Sequence, residues 1–271
     1  PTRAILLAAL ALTAAAAGCQ STSTSLDDAS PDGRPFVQPK KTIVLVHGAW
    51  GGSWAFREVD RLLTNDGWKV YRPSLTGQGE RVHLSSPEID LSTHIQDVVN
   101  EILYEDLHNV VLVGHSYGGM VITGVADRIP DRIKQLIYVD ACLPNDGESL
   151  NDVLPNPHFP QVTDGYILPT WVKPNTPPPH DVPMPAKCFS EKISLKNPAR
   201  EKIPATYILT VDAGKQPKDD TFYPCYERAK ARGWPTMIMT GPHNVQWTEP
   251  RVLVKYLEEA TANPGHAQET H

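Results

Sequence analysis

The sequence of 271 residues has few cysteines, few aromatic side chains and no cluster of basic residues. No spacing among its 4 cysteines and 10 histidines is typical of a zinc site, so no metal is expected. Lysine and arginine total 25 against 31 aspartates and glutamates, and this acidic balance argues against nucleic-acid binding. The sequence also lacks a series of long apolar segments, which excludes a polytopic membrane protein. Hydrophobic residues at 40% are nevertheless enough for a folded globular domain.

The beginning of the chain has the composition of an export signal. Residues 4–18 are almost entirely alanine and leucine, a run too short for a bilayer span but typical of a secretory signal. Small residues directly before Cys19 resemble the lipobox of bacterial lipoproteins, which implies cleavage before Cys19 and a lipid on its sulfur. The alternative is an ordinary signal peptide with an incidental cysteine. We expect an exported protein, lipid-anchored to the bacterial cell envelope or otherwise periplasmic or secreted.

Composition divides the chain into four segments. Residues 1–18 are the expected signal peptide, and residues 19–40, rich in Ser, Thr, Asp and Pro, are expected to form a disordered tether. A folded domain is predicted over residues 41–265, followed by a frayed tail over residues 266–271.

Short β-branched runs alternate with helical patterns along the predicted domain. Strands are predicted at residues 42–46, 68–71, 110–113, 135–139, 206–211 and 236–240. Helices are predicted at residues 54–63, 91–103, from Ser116 to about 128, 222–231 and 249–260, with Ser92 or Thr93 as the cap of the second. This alternation predicts an α/β fold with a mostly parallel sheet and helices on both faces.

A proline-rich stretch interrupts the alternation. Eleven prolines lie between Pro144 and Pro185, a density that forbids a helix and disfavours a central strand. We predict a cap or lid over residues 146–203 with little regular structure.

The third predicted strand runs into a Gly-x-Ser-x-Gly motif formed by Gly114, Ser116 and Gly118. On a strand–turn–helix, this motif forms a nucleophile elbow, because the glycines allow close backbone approach while the strained turn exposes the serine hydroxyl. The helix N-terminus that follows favours developing negative charge. The motif predicts Ser116 as a nucleophile.

With this motif, residues 46–50, 75–81 and His243 give residues 42–257 a resemblance to the α/β-hydrolase superfamily. The sequence most resembles small bacterial esterases akin to plant methyl esterases and hydroxynitrile lyases. The resemblance implies an oxyanion hole made by the backbone N–H groups of Ala49 and Tyr117. It also implies that the catalytic histidine follows the last strand, which selects His243. His47 is then expected to brace its turn, and His94 to lie on the surface or in the cap.

Two aspartates are candidates for the catalytic acid. Asp212 ends the fifth predicted strand, the commoner position in this fold. Asp140 ends the fourth and is followed four residues later by Pro144, which resembles the placement in haloalkane dehalogenases. The stretch that begins at Asp140 also resembles a segment of small bacterial esterases. We favour Asp140 and keep Asp212 as the alternative.

These residues predict a serine hydrolase that cleaves a carboxylic ester or lactone through an acyl-enzyme intermediate, without a cofactor. Trp50, Trp171 and Trp247 are candidates for the walls of the substrate pocket. One alternative is a hydroxynitrile-lyase-like enzyme, which would need a basic residue near the pocket, with Lys173 and Lys187 as candidates. The other is a non-catalytic ligand-binding protein on the same fold.

Three cysteines remain after the leader. In an oxidising compartment two of them can pair, and we expect Cys188 to pair with Cys225, leaving Cys142 free. The oligomeric state, the natural ester and its acyl and alcohol specificity stay open at this stage.

Overall fold

The computed structural model describes residues 41–154, 161–262 and 264, and it contains one six-stranded sheet and one small sheet in this part of the chain. The six-stranded sheet has the order β2-β1-β3-β4-β8-β9, and all of its neighbouring strands are parallel. The strands are β1 (Lys41–Val46), β2 (Trp68–Tyr71), β3 (Val110–His115), β4 (Ile133–Val139), β5 (Val162–Thr163), β6 (Tyr166–Ile167), β7 (Met184–Pro185), β8 (Ala205–Val211) and β9 (Thr236–Thr240). The predicted parallel α/β sheet is confirmed.

Helices cover both faces of this sheet. The α-helices of the described residues are α1 (Arg57–Asn65), α2 (Leu91–Tyr104), α3 (Gly118–Arg128), α4 (Leu150–Val153), α5 (Lys187–Ser190), α6 (Tyr223–Ala231), α7 (Val245–Thr248) and α8 (Pro250–Ala262), of which α4 and α5 lie in the predicted cap over residues 146–203. Alternate residues of a strand point to opposite faces, and β1 serves two cores in this way. Val44 packs in the core that contains α2, α3 and α6, whereas Ile43 packs in the core that contains α1 and α8. Strands buried on both faces explain the β-branched runs of the sequence.

Two helix ends differ from the sequence prediction. Asp90, rather than Ser92 or Thr93, caps α2, because its carboxylate accepts the backbone N–H of Thr93 at 2.8 Å. Ser92 is engaged elsewhere, with its backbone N–H and its hydroxyl both bound to Glu191. The last predicted helix corresponds to α8, which begins at Pro250, a residue that fits the first turn of a helix but not its interior, and the short helix α7 before it was not predicted.

The proline-rich stretch has more regular structure than its composition predicts. It holds the antiparallel sheet β5-β6-β7 and the short helices α4 and α5. Trp50, in the loop after β1, binds this cap twice: its indole N–H donates to the carbonyl of Ile167 at 2.9 Å, and its own carbonyl accepts the N–H of Val182 at 2.8 Å. The cap is therefore fastened to the loop that follows β1.

The predicted disulfide is wrong. Cys142, Cys188 and Cys225 are all free and buried. Cys188 lies in the cap helix α5, and its thiol is 3.5 Å from the carbonyl oxygen of Ile89. Burial raises the pKa of the Cys225 thiol to about 11.

The predicted signal peptide, Cys19, the tether over residues 19–40 and the tail over residues 266–271 lie outside the described residues. Within the described ranges, no helix has the length and apolar character needed to cross a membrane.

Candidate active site

Ser116 lies in a tight turn between β3 and α3. Its backbone φ of +55° falls in the left-handed region, where a non-glycine residue is strained. A Cβ at Gly114 would lie 2.6 Å from the carbonyl oxygen of Gly118, and one at Gly118 would lie 2.6 Å from the carbonyl oxygen of Val46. Both distances are shorter than van der Waals contact, so the turn requires glycine on each side of the serine.

The imidazole of His243 is held by a buried carboxyl group. His243 follows β9, and its Nδ1 donates to Oδ2 of Asp140 at 2.6 Å. Asp140 follows β4, is 0% exposed and also accepts the backbone N–H of Thr210 through Oδ1 at 3.1 Å. Both carboxyl oxygens of Asp140 therefore have partners, and Nε2 of His243 is left for other chemistry.

Two aromatic neighbours fix the position of His243. His115 donates from Nε2 to the carbonyl oxygen of His243 at 2.8 Å, and Gln246 faces Nδ1 of His115 at 3.4 Å. Burial lowers the pKa of His115 well below its usual value, so this ring is neutral. The ring of Phe222 stacks on the imidazole of His243 at 4.9 Å with an interplanar angle of 6°.

Two backbone N–H groups beside Ser116 are available to a ligand. Those of Ala49 and Tyr117 donate no hydrogen bond within the described part of the chain. In contrast, the N–H of Trp50, the residue after Ala49, faces the sulfur of Met184 at 3.4 Å. Free N–H groups on both sides of a nucleophile are the elements of an oxyanion hole.

Two cavities of about 300 Å³ each meet at Ser116, Trp50 and His243. We call the first the tryptophan cavity, which is lined on its outer side by Trp50, Trp171, Asp181, Asn244 and Trp247. We call the second the phenylalanine cavity, which is lined by Tyr117, Leu150, Leu154, Phe189, Asp220 and Phe222. Two other cavities, of about 370 and 620 Å³, are not lined by Ser116 or His243. The residues around Ser116 can therefore accommodate two parts of a ligand in two separate cavities.

The sequence profile described as "Alpha/beta hydrolase family" matches residues 43–270. The chain belongs to this family.

Two curated relatives of this alpha/beta hydrolase are named as esterases. It is 51% identical over 124 residues to the carbendazim hydrolyzing esterase of Nocardioides sp. (strain SG-4G), a match that covers 46% of this chain and 51% of that protein. This chain therefore spans about half the length of that relative. It is 26% identical over 265 residues to the pFDCC methylesterase MES16 of Arabidopsis thaliana, with 83% of this chain and 96% of that protein covered.

A solved structure has the same fold. An extracellular alpha/beta-hydrolase from a Paenibacillus species matches this hydrolase with a TM-score of 0.65 at 24% identity. The match covers 81% of this chain and 98% of that chain.

The structure brings Ser116, His243 and Asp140 together and leaves Asp212 outside. The side chain of Asp212 is 55% exposed and lies 3.8 Å from Lys215. Trp50, Trp171 and Trp247 all line the tryptophan cavity, although Trp247 is also stacked on Trp54 at 5.2 Å.

Neither lysine of the lyase hypothesis lines a cavity at Ser116. Lys173 is exposed, and Lys187 is an exposed residue paired with Glu88. No other Lys or Arg lines the two cavities within the described residues. Among the residues that the structure describes, the site therefore offers no lysine or arginine for the role that a hydroxynitrile lyase would need.

The positions of some residues at or near the site were not predicted from the sequence. Asp181 and Asp220 line the cavities but follow no motif, because the cap and the loop after β8 have no periodic pattern. His94 was expected at the surface and is instead fully buried, where it bonds the hydroxyl of Tyr117 at 3.0 Å and the carbonyl of Thr76 at 3.0 Å. Its position on the apolar face of α2 is the signal that could have revealed this burial.

His47 braces the loop beside Ala49, as expected. It is 1% exposed, its Nδ1 donates to the carbonyl of Gly48 at 2.8 Å, and its Nε2 accepts the N–H of Leu75 at 3.1 Å. Burial lowers the pKa of His47 to about 4. Both ring nitrogens are satisfied only in the neutral form.

We expect His47 to make folding sensitive to acid. The unfolded chain takes up a proton on His47 near pH 6.5, whereas the folded chain does so only near pH 4. The contribution of neutral His47 to the free energy of unfolding is therefore complete above pH 6.5 and is lost as the pH falls toward 4. In urea unfolding at pH 7.5, 6 and 5, the destabilisation caused by His47→Gln should shrink by up to roughly 1.4 kcal/mol per pH unit below 6.5. The exposed His83→Gln serves as the matched control. An equal destabilisation by His47→Gln at all three pH values would contradict this assignment.

Proposed function

We propose that this chain is a serine hydrolase that cleaves a carboxylic ester or lactone through an acyl-enzyme intermediate. The observation that carries the proposal is the 2.6 Å bond between His243 and buried Asp140 beside Ser116. The free N–H groups of Ala49 and Tyr117 support it further. The names of the curated relatives, an esterase and a methylesterase, agree with ester chemistry.

In the proposed mechanism, Oγ of Ser116 attacks the carbonyl carbon while Nε2 of His243 takes the hydroxyl proton. Asp140 orients the imidazole through Nδ1 and stabilises its charged form. The N–H groups of Ala49 and Tyr117 hold the oxyanion, and one such donor is typically worth about 2.7–4 kcal/mol. The bond from carbonyl carbon to alkoxy oxygen then breaks, and His243 returns the proton to the departing alcohol. Water attacks the acyl-enzyme by the same route and regenerates Ser116.

We expect Ser116→Ala to abolish ester hydrolysis, because the nucleophile is removed while the cavities remain. Turnover of p-nitrophenyl acetate and p-nitrophenyl octanoate should fall roughly 10⁶-fold, close to the rate in buffer. A fluorophosphonate probe should label the wild type and Ser190→Ala, an exposed serine in the cap, but not Ser116→Ala. Folded wild type that takes no label and hydrolyses neither ester would favour the non-catalytic ligand-binding protein.

We expect Asp140→Asn to lower kcat roughly 10⁴-fold, because an amide cannot hold the same tautomer of His243 or stabilise its charged form. Asp212→Asn is the matched control, since Asp212 lies on the surface beside Lys215. Steady-state kinetics on p-nitrophenyl acetate would compare the two variants. A greater loss in Asp212→Asn would transfer the role of the acid to Asp212.

We also propose that the protein is exported and anchored to the bacterial cell envelope by a lipid on Cys19. The support is sequence composition: an apolar run over residues 4–18 ends in small residues directly before Cys19. In a bacterial host, mass spectrometry of the N-terminal peptide from the membrane fraction should find a lipid on Cys19, and Cys19→Ser should move the protein out of that fraction. Wild-type protein that is cleaved elsewhere and carries no lipid would leave the ordinary signal peptide, and a secreted or periplasmic protein.

A further inference from the structure

The phenylalanine cavity combines aromatic rings with a carboxyl group, and none of the described residues that line it is a lysine or an arginine. Trp50, Phe189 and Phe222 supply the rings, and Asp220 supplies the carboxyl group. Aromatic faces and carboxylates both attract cations. Among the described residues, no lysine or arginine lies in this cavity to pair with an anionic substituent of a substrate.

Asp220 has an oxygen available to a ligand, and Asp140 does not. Oδ1 of Asp220 accepts the backbone N–H of Phe222 at 2.8 Å, and Oδ2 has no hydrogen-bond partner within the described residues. The side chain is half-buried, so water reaches it from the cavity. Asp140 is fully buried and has both oxygens occupied by His243 and Thr210.

The ionisable side chains around Asp220 follow the ends of three strands of the six-stranded sheet. Asp140 follows β4, Asp212 follows β8 and His243 follows β9, whereas the cap contributes the apolar side chains of Leu150 and Leu154. Burial, followed by the negative charge of Asp140, raises the pKa of Asp220 to about 6. Asp220 is therefore charged at pH 7.5 and largely neutral at pH 5.

We propose that Asp220 is a specificity-determining residue that selects esters carrying a cationic nitrogen and disfavours anionic esters. The inference rests on the proposed ester hydrolysis at Ser116, since the phenylalanine cavity opens onto that hydroxyl. A bound cation would lie between the carboxylate of Asp220 and the aromatic rings. The cation would replace solvent at Oδ2 of Asp220. Its positive charge would offset the repulsion between Asp220 and Asp140.

The test compares esters of equal shape and different charge. The acyl pair is p-nitrophenyl 4-(trimethylammonio)butanoate and p-nitrophenyl 5,5-dimethylhexanoate, with p-nitrophenyl hemisuccinate as the anionic ester. The alcohol pair is butyrylcholine and 3,3-dimethylbutyl butanoate. The two pairs distinguish whether the acyl or the alcohol part enters the phenylalanine cavity. The measured quantity is the ratio of kcat/KM for the cationic ester to that for its neutral partner.

In wild type at pH 7.5, this ratio should exceed unity for one of the pairs and fall about tenfold in Asp220→Asn, with the neutral ester little affected. Between pH 5 and 7.5 the ratio should rise with a midpoint near pH 6, because Asp220 becomes charged over this range and effects common to both esters cancel in the ratio. The ratio should be flat in Asp220→Asn. Asp212→Asn, which alters an exposed carboxylate on the same loop, should keep the wild-type ratio at pH 7.5.

Several outcomes would overturn this inference. A ratio near unity for both pairs in wild type would do so, and so would an unchanged ratio in Asp220→Asn. A ratio lost only in Asp181→Asn would assign the selection to the tryptophan cavity instead. If wild type hydrolyses the neutral esters without charge preference, this inference fails while the proposed function stands.

A binding measurement separates the two proposals if no ester is hydrolysed. Calorimetry with phenyltrimethylammonium at pH 7.5 requires no turnover. Binding to wild type that weakens about tenfold in Asp220→Asn would support the cation site even when the proposed function fails. Equal binding to the two proteins, or none to either, would contradict the cation site.

Discussion

The hydrogen bond between Asp140 and His243 joins two chain segments that are 103 residues apart, and the geometry around Ser116 depends on it. A fully buried carboxyl group is costly unless its oxygens find donors, and those of Asp140 find one in His243 and one in the backbone of Thr210. The register of β4 against β8 pairs Val139 with Ile208, and just beyond this pair the backbone N–H of Thr210 reaches the carboxylate of Asp140. The parallel sheet thus positions the carboxylate that accepts the hydrogen bond from the imidazole. His115, at the end of β3 beside β4, holds the backbone of His243 through its carbonyl oxygen.

Close backbone contact is the second constraint on the site. The turn that holds Ser116 passes so near the end of β1 that only glycine fits at position 118, and Ser116 itself is held at a positive φ. Trp50 and Asp140 also have positive φ values, of 62° and 45°. Strain of this kind persists where the surrounding structure enforces it. The sheet supplies that enforcement at Ser116 and Asp140, and the cap supplies it at Trp50 through hydrogen bonds to Ile167 and Val182.

The sequence predicted what depends on local pattern and order along the chain. The β-branched runs located the six parallel strands, and the glycines around Ser116 located the turn. The sequence favoured Asp140 over Asp212 only by resemblance, because both end a strand and the three-dimensional path of the loop after β9 decides which carboxyl group meets His243. The predicted pairing of Cys188 with Cys225 failed for a similar reason, since position outside the strands carries no information about distance. Asp220 was missed because its role depends on the surfaces of separate elements.

Asp140 and Asp220 both lie near His243, but they differ in their access to solvent and therefore in their proposed roles. Asp140 is fully buried, and both of its carboxylate oxygens accept hydrogen bonds from fixed donors, so neither oxygen is available to a ligand. Asp220 retains an unpaired oxygen and contact with the cavity, so its charge is neutralised only when a proton or a cation arrives. The negative charge of Asp140 raises the electrostatic cost of charging Asp220, and a cationic ligand would relieve part of that cost. A fold that provides a general site for ester chemistry can acquire a charge preference in this way without altering Ser116, His243 or Asp140.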